Sequence, residues 1–154
     1  MKLSTSEEYG LRCLIQVARR APGAEGPPAS IRDIAEAEGL SVDYAAKLLG
    51  ALRKASLVTS SRGVNGGYRL ARPAADITAR EAMLALDGPF YGASFCSGHS
   101  GRLACCVHKD NDCTLTTLWS AVGTALDQVL GNITIADLLP PPVVAEVPEE
   151  AVHG

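Results

Sequence analysis

Residues 30–70 constrain the fold most strongly, because they combine two short helical segments with a glycine-rich hairpin pattern. Ser30 and Ser41 are suitable N-caps for the two helices, and Gly39 lies in the short turn between them. Apolar side chains recur at helical spacing on the inner face of the second helix, at Ala45, Leu48, Leu49 and Leu52. Two short helices that are joined by a turn of about three residues predict a helix-turn-helix.

A β-hairpin is expected directly after this second helix. The segments 57–60 and 68–70 have strand character, and the turn between them contains Gly63, Gly66 and Gly67. A hairpin that follows the second helix of a helix-turn-helix forms a wing. Residues 30–70 therefore predict a winged helix-turn-helix.

Two more helices are indicated by their capping patterns. A capping box formed by Ser4 with Glu7, or by Thr5 with Glu8, predicts a first helix that ends near residue 20. The same type of box, Thr-x-x-Glu, precedes a helical pattern over residues 80–88.

A long helix is expected from Leu115 onward. Its apolar positions recur at steps of three and four residues, at Leu118, Trp119, Val122, Leu126, Val129 and Leu130. Such a stripe suits packing against a partner helix. The predicted fold class is mainly α with a small β-hairpin wing, a winged helix-turn-helix plus a long C-terminal dimerisation helix. Three parts are expected: a DNA-binding domain over 1–76, a cysteine-rich sensor loop and dimerisation helix over 77–139, and a disordered, Pro-rich tail over 140–154.

The net charge of −3 is unevenly distributed. Residues 1–76 carry 11 Lys and Arg against 8 Asp and Glu, a net charge of +3, whereas residues 77–154 have a net charge of −6. No apolar run has the length of a membrane helix, and the first residues do not resemble a signal peptide, so a cytoplasmic protein is expected. No catalytic triad or phosphate-binding loop is recognisable, and we expect no enzyme.

The basic side chains are concentrated between residues 44 and 76, where no acidic residue precedes Asp76. A local basic surface on an acidic protein is typical of phosphate contacts. The helical spacing places Ser41, Asp43, Tyr44, Lys47 and Lys54 on the outward face of the second helix, and Arg62 at the tip of the wing. We expect DNA contacts from Ser41, Tyr44, Lys47, Lys54 and Arg62. The alternatives are that Tyr44 packs on a neighbouring helix and that Arg62 is a solvated turn residue.

Four of the five cysteines lie within residues 96–113, with two histidines among them. Thiolates ligate iron in iron–sulfur clusters, and three cysteines with one further ligand can complete such a site. A zinc site of Cys and His ligands and a cluster-free thiol–disulfide switch are alternatives. The remaining cysteine, Cys13, lies in an amphipathic helix and is expected to be a small buried apolar residue.

Several segments resemble the Rrf-type bacterial repressor family, which includes the iron–sulfur cluster regulator and the nitric-oxide-sensing repressor. They are the opening MKLSTSEEYGLRCL, the helix pattern LSVDYAAKLLGALRKASLV, the wing RGVNGGYRL and the ending GNITIADLL. The resemblance covers about residues 1–139 and implies a homodimer, a palindromic DNA target and recognition residues at Ser41, Tyr44 and Arg62. Ala46 occupies the position of an acidic residue that reads bases in the iron–sulfur regulator, so the resemblance does not give the operator sequence.

The resemblance also implies three cysteine ligands of an iron–sulfur cluster just before the dimerisation helix. They correspond to Cys96, Cys106 (or its neighbour Cys105) and Cys113, with wider spacing than in the better-known members. Thr116 replaces the histidine that is the fourth ligand in one branch. Further ligands could come from Glu8 of the partner subunit or locally from His99 or His108, whereas Glu8 could instead cap the first helix through Thr5.

These expectations together predict a transcription regulator, a repressor according to the resemblance, that senses redox, nitric oxide or iron–sulfur status. The same DNA-binding fold with a zinc or thiol–disulfide site is the first alternative. A protein-interaction module is a more remote one, and the basic surface argues against it as the sole role.

Overall fold

The computed structural model describes residues 4–22, 26–91 and 113–141. In this part of the chain the helices are α1 (Thr5–Arg20), α2 (Ile31–Glu38), α3 (Val42–Lys54), α4 (Ala79–Asp87) and α5 (Leu115–Gly131). An antiparallel hairpin of β1 (Val58–Ser61) and β2 (Gly67–Leu70) follows α3, and short 3-10 turns cover Ala74–Asp76 and Ala136–Leu138. This architecture, mainly helical with a small hairpin wing, confirms the predicted fold class.

The first helix begins at a capping box. The Ser4 hydroxyl accepts a hydrogen bond from the Glu7 N–H at 3.1 Å, and the Glu7 carboxylate accepts one from the Ser4 N–H at 2.7 Å. Of the two predicted boxes, the structure therefore forms the one with Ser4 and Glu7. The buried face of α1 packs against α2, α3 and α4 and places Leu14 and Val17 in the hydrophobic core.

The helix-turn-helix is built as the capping residues predict. Ser30 and Ser41 are the N-caps of α2 and α3, and their hydroxyls accept backbone N–H bonds. Gly39 ends α2 with φ +65°, a left-handed conformation that suits glycine. Leu49 and Leu52 of α3 are fully buried, so the opposite side of α3 is left for solvent.

The wing is shifted by one residue from its predicted strand limits. Strand β1 begins at Val58 rather than Leu57, because the Leu57 N–H bonds back to the Leu52 carbonyl at the end of α3. Strand β2 includes Gly67, whose pairing partner is Ser61. On its other edge β2 pairs with residue 29 through two 2.8 Å backbone hydrogen bonds at Tyr68, which tie the wing to the segment before α2.

The chain that follows α5 returns to the core formed by the first three helices. Thr78 and Thr134 form a β-bridge, with backbone hydrogen bonds of 2.8 Å from Ala79 to Ile133 and from Ile135 to Ile77. The side chains of Ile77 and Ile135 are fully buried in the same hydrophobic cluster as those of α1 and α3. None of the described helices is long and apolar enough to cross a membrane.

Candidate nucleic-acid interface and metal centre

The outward side of α3 carries the lysines that were predicted to contact DNA. Four residues on this side follow one another at steps of four, three and four, so they lie on one line along the helix. They are Asp43, Lys47, Gly50 and Lys54. Both lysines are exposed, and they line an open depression with the small side chains of Ala46 and Ala51. The buried leucines lie on the opposite side, so packing against the core presents this line outward.

Ser41 and Tyr44 lie at the start of α3 and differ in exposure. Ser41 is exposed, and its hydroxyl accepts a hydrogen bond from the Tyr44 N–H at 3.2 Å, which leaves the hydroxyl proton available to a further acceptor. Tyr44 is half-buried and its side chain packs against the hydrophobic core. The spacing predicted a more outward tyrosine, and contact of either residue with DNA stays a prediction.

Arg62 occupies the loop between the two strands of the wing and is exposed. Gly63, the next residue, has φ +108°, a conformation that side chains with a Cβ rarely adopt. Arg53, at the end of α3, donates from Nη1 to the Ser60 hydroxyl of β1 at 3.3 Å. This bond links α3 to the wing.

Two arginines of the basic stretch bind acceptors of the protein itself. Arg72, just after β2, forms an ion pair of 2.8 Å with Glu81 of α4. Arg69 donates a hydrogen bond to the carbonyl of Gly26. The pKa of Glu81 is lowered, first by the N–H of Thr78 and then by Arg72. The predicted basic surface is therefore partly neutralised at Arg72, because folding brings a carboxylate to it.

Cys113 lies just before Thr114, the N-cap of α5, and its thiol is the described part of the predicted metal site. Its pKa is lowered because the Thr116 hydroxyl and the N–H groups of Leu115 and Thr116 donate hydrogen bonds to the sulfur. Backbone N–H groups at a helix start stabilise a thiolate, which is the form that ligates metals. Thr116 thus contacts the sulfur at the position where one branch of the resembling family has a histidine ligand.

The other predicted ligands in this segment, Cys96, Cys105, Cys106, His99 and His108, lie outside the described residues. Within the residues that the structure describes, no group of three His, Cys, Asp or Glu side chains could hold a metal ion. The predicted ligand set stays a prediction beyond the thiol of Cys113.

Glu8 and Cys13 of α1 are accounted for by local contacts. Glu8 forms an ion pair of 2.7 Å with Arg12, one turn further along the helix, and Ser4 with Glu7 provides the cap. The expectation that Glu8 caps α1 is therefore wrong, and the ion pair takes its place. Cys13 is fully buried, which raises the pKa of its thiol to about 11 and confirms the predicted structural role.

Helix α5 has no fully buried residue. Its side toward α4 is held by an ion pair of 2.9 Å between Arg80 and Asp127. An apolar stripe faces away from this ion pair, with alternating steps of three and four residues along Leu115, Leu118, Val122, Ala125 and Val129. It keeps three of the six predicted positions, whereas the other three, Trp119, Leu126 and Leu130, are half-buried. Leu115, Leu118 and Val129 have exposed fractions of 51%, 51% and 59%, which are high values for large apolar side chains.

Solved structures with this fold place the protein in the class of winged-helix, DNA-binding transcription regulators. CymR, the global cysteine regulator of B. subtilis, superposes with a TM-score of 0.68 at 33% identity, over 90% of this chain and 95% of CymR. IscR of T. potens superposes with a TM-score of 0.67 at 33% identity, over 90% of this chain and 85% of IscR.

The chain belongs to the Rrf2 family, described as iron-dependent transcriptional regulators, which it matches over residues 3–141. Protein rrf2 of Nitratidesulfovibrio vulgaris (strain Hildenborough) is 37% identical over 139 residues, 90% of this chain and 87% of the relative. The HTH-type transcriptional regulator IscR of Vibrio atlanticus is 32% identical over 150 residues, 96% of this chain and 80% of the relative. The predicted family is confirmed, and these relatives are transcription regulators rather than enzymes.

Proposed function

We propose that the chain is a homodimeric transcription repressor that binds palindromic DNA and responds to redox, nitric oxide or iron–sulfur status. An iron–sulfur cluster ligated by Cys96, Cys106 and Cys113 is the proposed sensor. The observation that carries the proposal is the position of Cys113, whose sulfur accepts hydrogen bonds at the start of the helix that bears the exposed stripe. The description of the family as iron-dependent and the similarity to IscR support it.

The DNA contacts follow from the outward side of α3 and from the wing. Lys47 and Lys54 would meet phosphates along the major groove, and Arg62 would enter the neighbouring minor groove. The small side chains between the lysines allow α3 to approach the bases closely. A homodimer would place two copies of α3 about one helical turn of DNA apart, which requires a palindromic site.

The dimer is proposed on the apolar stripe of α5. Alternating steps of three and four residues give a repeat of 3.5, which keeps one side of the helix against a partner helix over its full length. A second copy of the same helix would cover the exposed side chains of Leu118 and Val129. Without a partner helix these large apolar side chains would remain in contact with water, which is unfavourable in free energy.

The chemistry of Cys113 fits a cluster ligand, because the thiolate form is favoured at the start of α5. A bound cluster would supply a group whose oxidation, nitrosylation or loss changes how many protein ligands are held together. Glu8 could serve as a ligand only if it gave up its ion pair with Arg12. This pair is exposed, so its loss would have a small effect on the stability of the protein. Holding Cys113 together with Cys96 and Cys106 would constrain the start of α5. Through the dimer this would change DNA affinity by the usual coupling free energy of about 1–3 kcal/mol.

The test is an ultraviolet–visible spectrum of protein purified without oxygen, with iron, sulfide and zinc analysis. We expect absorbance between roughly 320 and 460 nm with stoichiometric iron and sulfide, typical of thiolate-ligated iron. The substitution Cys113→Ser should abolish or strongly reduce both. The matched control is Cys13→Ala, since Cys13 is buried in the core and its removal should leave the iron content unchanged. Colourless protein without iron would refute the cluster.

A thiol–disulfide switch is the second candidate, because CymR is named as a cysteine regulator and Staphylococcus aureus CymR has been solved in an oxidized form. The lowered pKa of Cys113 also favours reaction of this thiol with oxidants. Mass spectrometry after diamide treatment would reveal a disulfide that includes Cys113. Zinc without iron in the elemental analysis would instead indicate a structural or sensing zinc site.

A further inference from the structure

Asp43 is an acidic side chain on the line of α3 that otherwise presents lysines. It lies four residues before Lys47 and eleven before Lys54, so all three point to the same side. Asp43 is exposed, and among the described residues no ion pair or side-chain hydrogen bond involves its carboxylate, although Lys47 is at the spacing that often pairs. An unpaired carboxylate is thus placed on the surface that is proposed to meet a polyanion.

We propose that Asp43 determines base specificity, by accepting a hydrogen bond from the N4 amino group of a cytosine in the major groove. The inference rests on the proposed function, since it requires that the outward side of α3 enters that groove. It assigns a role to a residue that the expected contacts, Ser41, Tyr44 and the two lysines, do not include. The predicted operator carries a C·G pair under the first turn of α3 in each half-site.

The choice of cytosine follows from the charges that a carboxylate can meet there. Phosphate oxygens repel it, and so do the acceptor atoms that guanine and thymine present in the major groove. Adenine offers an amino group, but its N7 acceptor lies beside it. Cytosine presents the amino group without a neighbouring acceptor on the same base, which makes it the favoured partner of Asp.

The surroundings of Asp43 allow its short side chain to reach a base edge. Gly50 lies on the same line, and a Cβ added there would meet no atom within 4 Å. Ala46, on the flank of this line, projects no further than its methyl group. On this line, Lys47 is the one long side chain between Asp43 and Lys54 that could hold the helix away from the bases. Ser41 caps the helix at its first turn and fixes the backbone from which Asp43 projects.

A structural role is the alternative for Asp43, because a carboxylate in the first turn of a helix interacts favourably with the helix dipole. This role affects the stability of the protein and is indifferent to the DNA sequence. The two roles are therefore separated by measuring base preference and thermal unfolding on the same variants.

The experiment is a selection from double-stranded oligonucleotides with a randomised central region, carried out with the parent protein, Asp43→Asn and Asp43→Ala. We expect a C·G pair in the half-sites that the parent enriches. Asn pairs with adenine N6 and N7, so Asp43→Asn should shift the preference at that position to A·T. Asp43→Ala should lose the preference there while the rest of the site is retained.

Affinities for the selected duplex and for one with that cytosine replaced by thymine complete the test. The parent should lose roughly 10-fold in affinity on this replacement, and Asp43→Ala should lose almost nothing. Equal losses for parent and variant, or the same selected sequence for all three proteins, would overturn the inference while the proposed DNA binding stands. No enriched sequence and no salt-dependent binding by the parent would overturn the proposed function as well.

Discussion

Replacing Lys47 by alanine tests whether the outward side of α3 meets the DNA backbone. Lys47 is exposed on that side, and its ammonium group has no ion-pair partner among the described residues. Truncation removes a positive charge without disturbing the buried face of α3. The matched control is Arg72→Ala, which removes a positive charge from the same basic stretch but from an ion pair with Glu81.

The expected size of the effect follows from counterion release. The logarithm of the binding constant falls with the logarithm of salt concentration with a slope of about −0.9 for each phosphate contact. A homodimer carries two copies of Lys47, so Lys47→Ala should make the slope less negative by about 1.8. Between about 50 and 200 mM salt, the affinity of the parent should then fall about 12-fold more than that of the variant. A monomer on DNA would lose one contact, for which the same calculation gives about 3.5-fold.

Fluorescence anisotropy with a labelled duplex of unrelated sequence, titrated at four or more salt concentrations, measures these slopes. Non-specific DNA suffices because phosphate contacts are independent of sequence. Arg72→Ala should have the slope of the parent, since Arg72 already has a carboxylate partner. A slope for Lys47→Ala equal to that of the parent would refute the proposed orientation of α3 on DNA, and an equal change in both variants would show that the ion pair gives no protection.

Three further outcomes are expected. Arg62→Ala at the tip of the wing should weaken binding to a selected operator by about 1–3 kcal/mol with the fold unchanged, and parent-like affinity would refute wing insertion. Leu118→Glu should shift the protein from dimer to monomer in sedimentation equilibrium. Ser120→Glu adds the same charge on another side of α5 and should leave the dimer intact. If Leu118→Glu remains a dimer, the apolar stripe is not the interface. Gly67→Ala should destabilise the fold by about 1–3 kcal/mol, because its Cβ would overlap a backbone carbonyl across the ladder, while Gly50→Ala, in open space within a helix, should stabilise it by about 0.5–1 kcal/mol in urea unfolding.

The starts of the helices could be predicted from the sequence because capping is local. Ser4, Ser30, Ser41 and Thr78 each stand as N-cap where the sequence indicated a helix start, and every bond involved spans two or three residues. The strand limits depend on a longer-range choice. Leu57 could have opened β1, but its N–H completes the end of α3 and its side chain is fully buried in the core.

The ion pairs also differ in whether a local sequence pattern indicates them. Glu8 and Arg12 are four residues apart on one helix, a spacing that favours an ion pair, and the competing pattern was a cap between Glu8 and Thr5. The pairing of Arg72 with Glu81 joins the end of the wing to the start of α4, and no local pattern indicates it. The turn at residues 74–76 brings these two side chains together, so this ion pair depends on the folded path of the chain.

The anchoring of α5 bears on how a change at its start could reach the DNA. The C-terminal half of α5 is held by the ion pair of Asp127 with Arg80 and by the β-bridge that follows at Thr134, whereas Leu115 and Leu118 near its start are exposed. A helix of 17 residues is about 25 Å long. A displacement at Cys113 would therefore change the angle of α5 about its anchored end rather than shift the whole helix along its axis. In the proposed dimer such a change of angle alters the separation of the two α3 helices. This separation must match the fixed half-site spacing of a palindromic DNA site, so the change would alter DNA affinity.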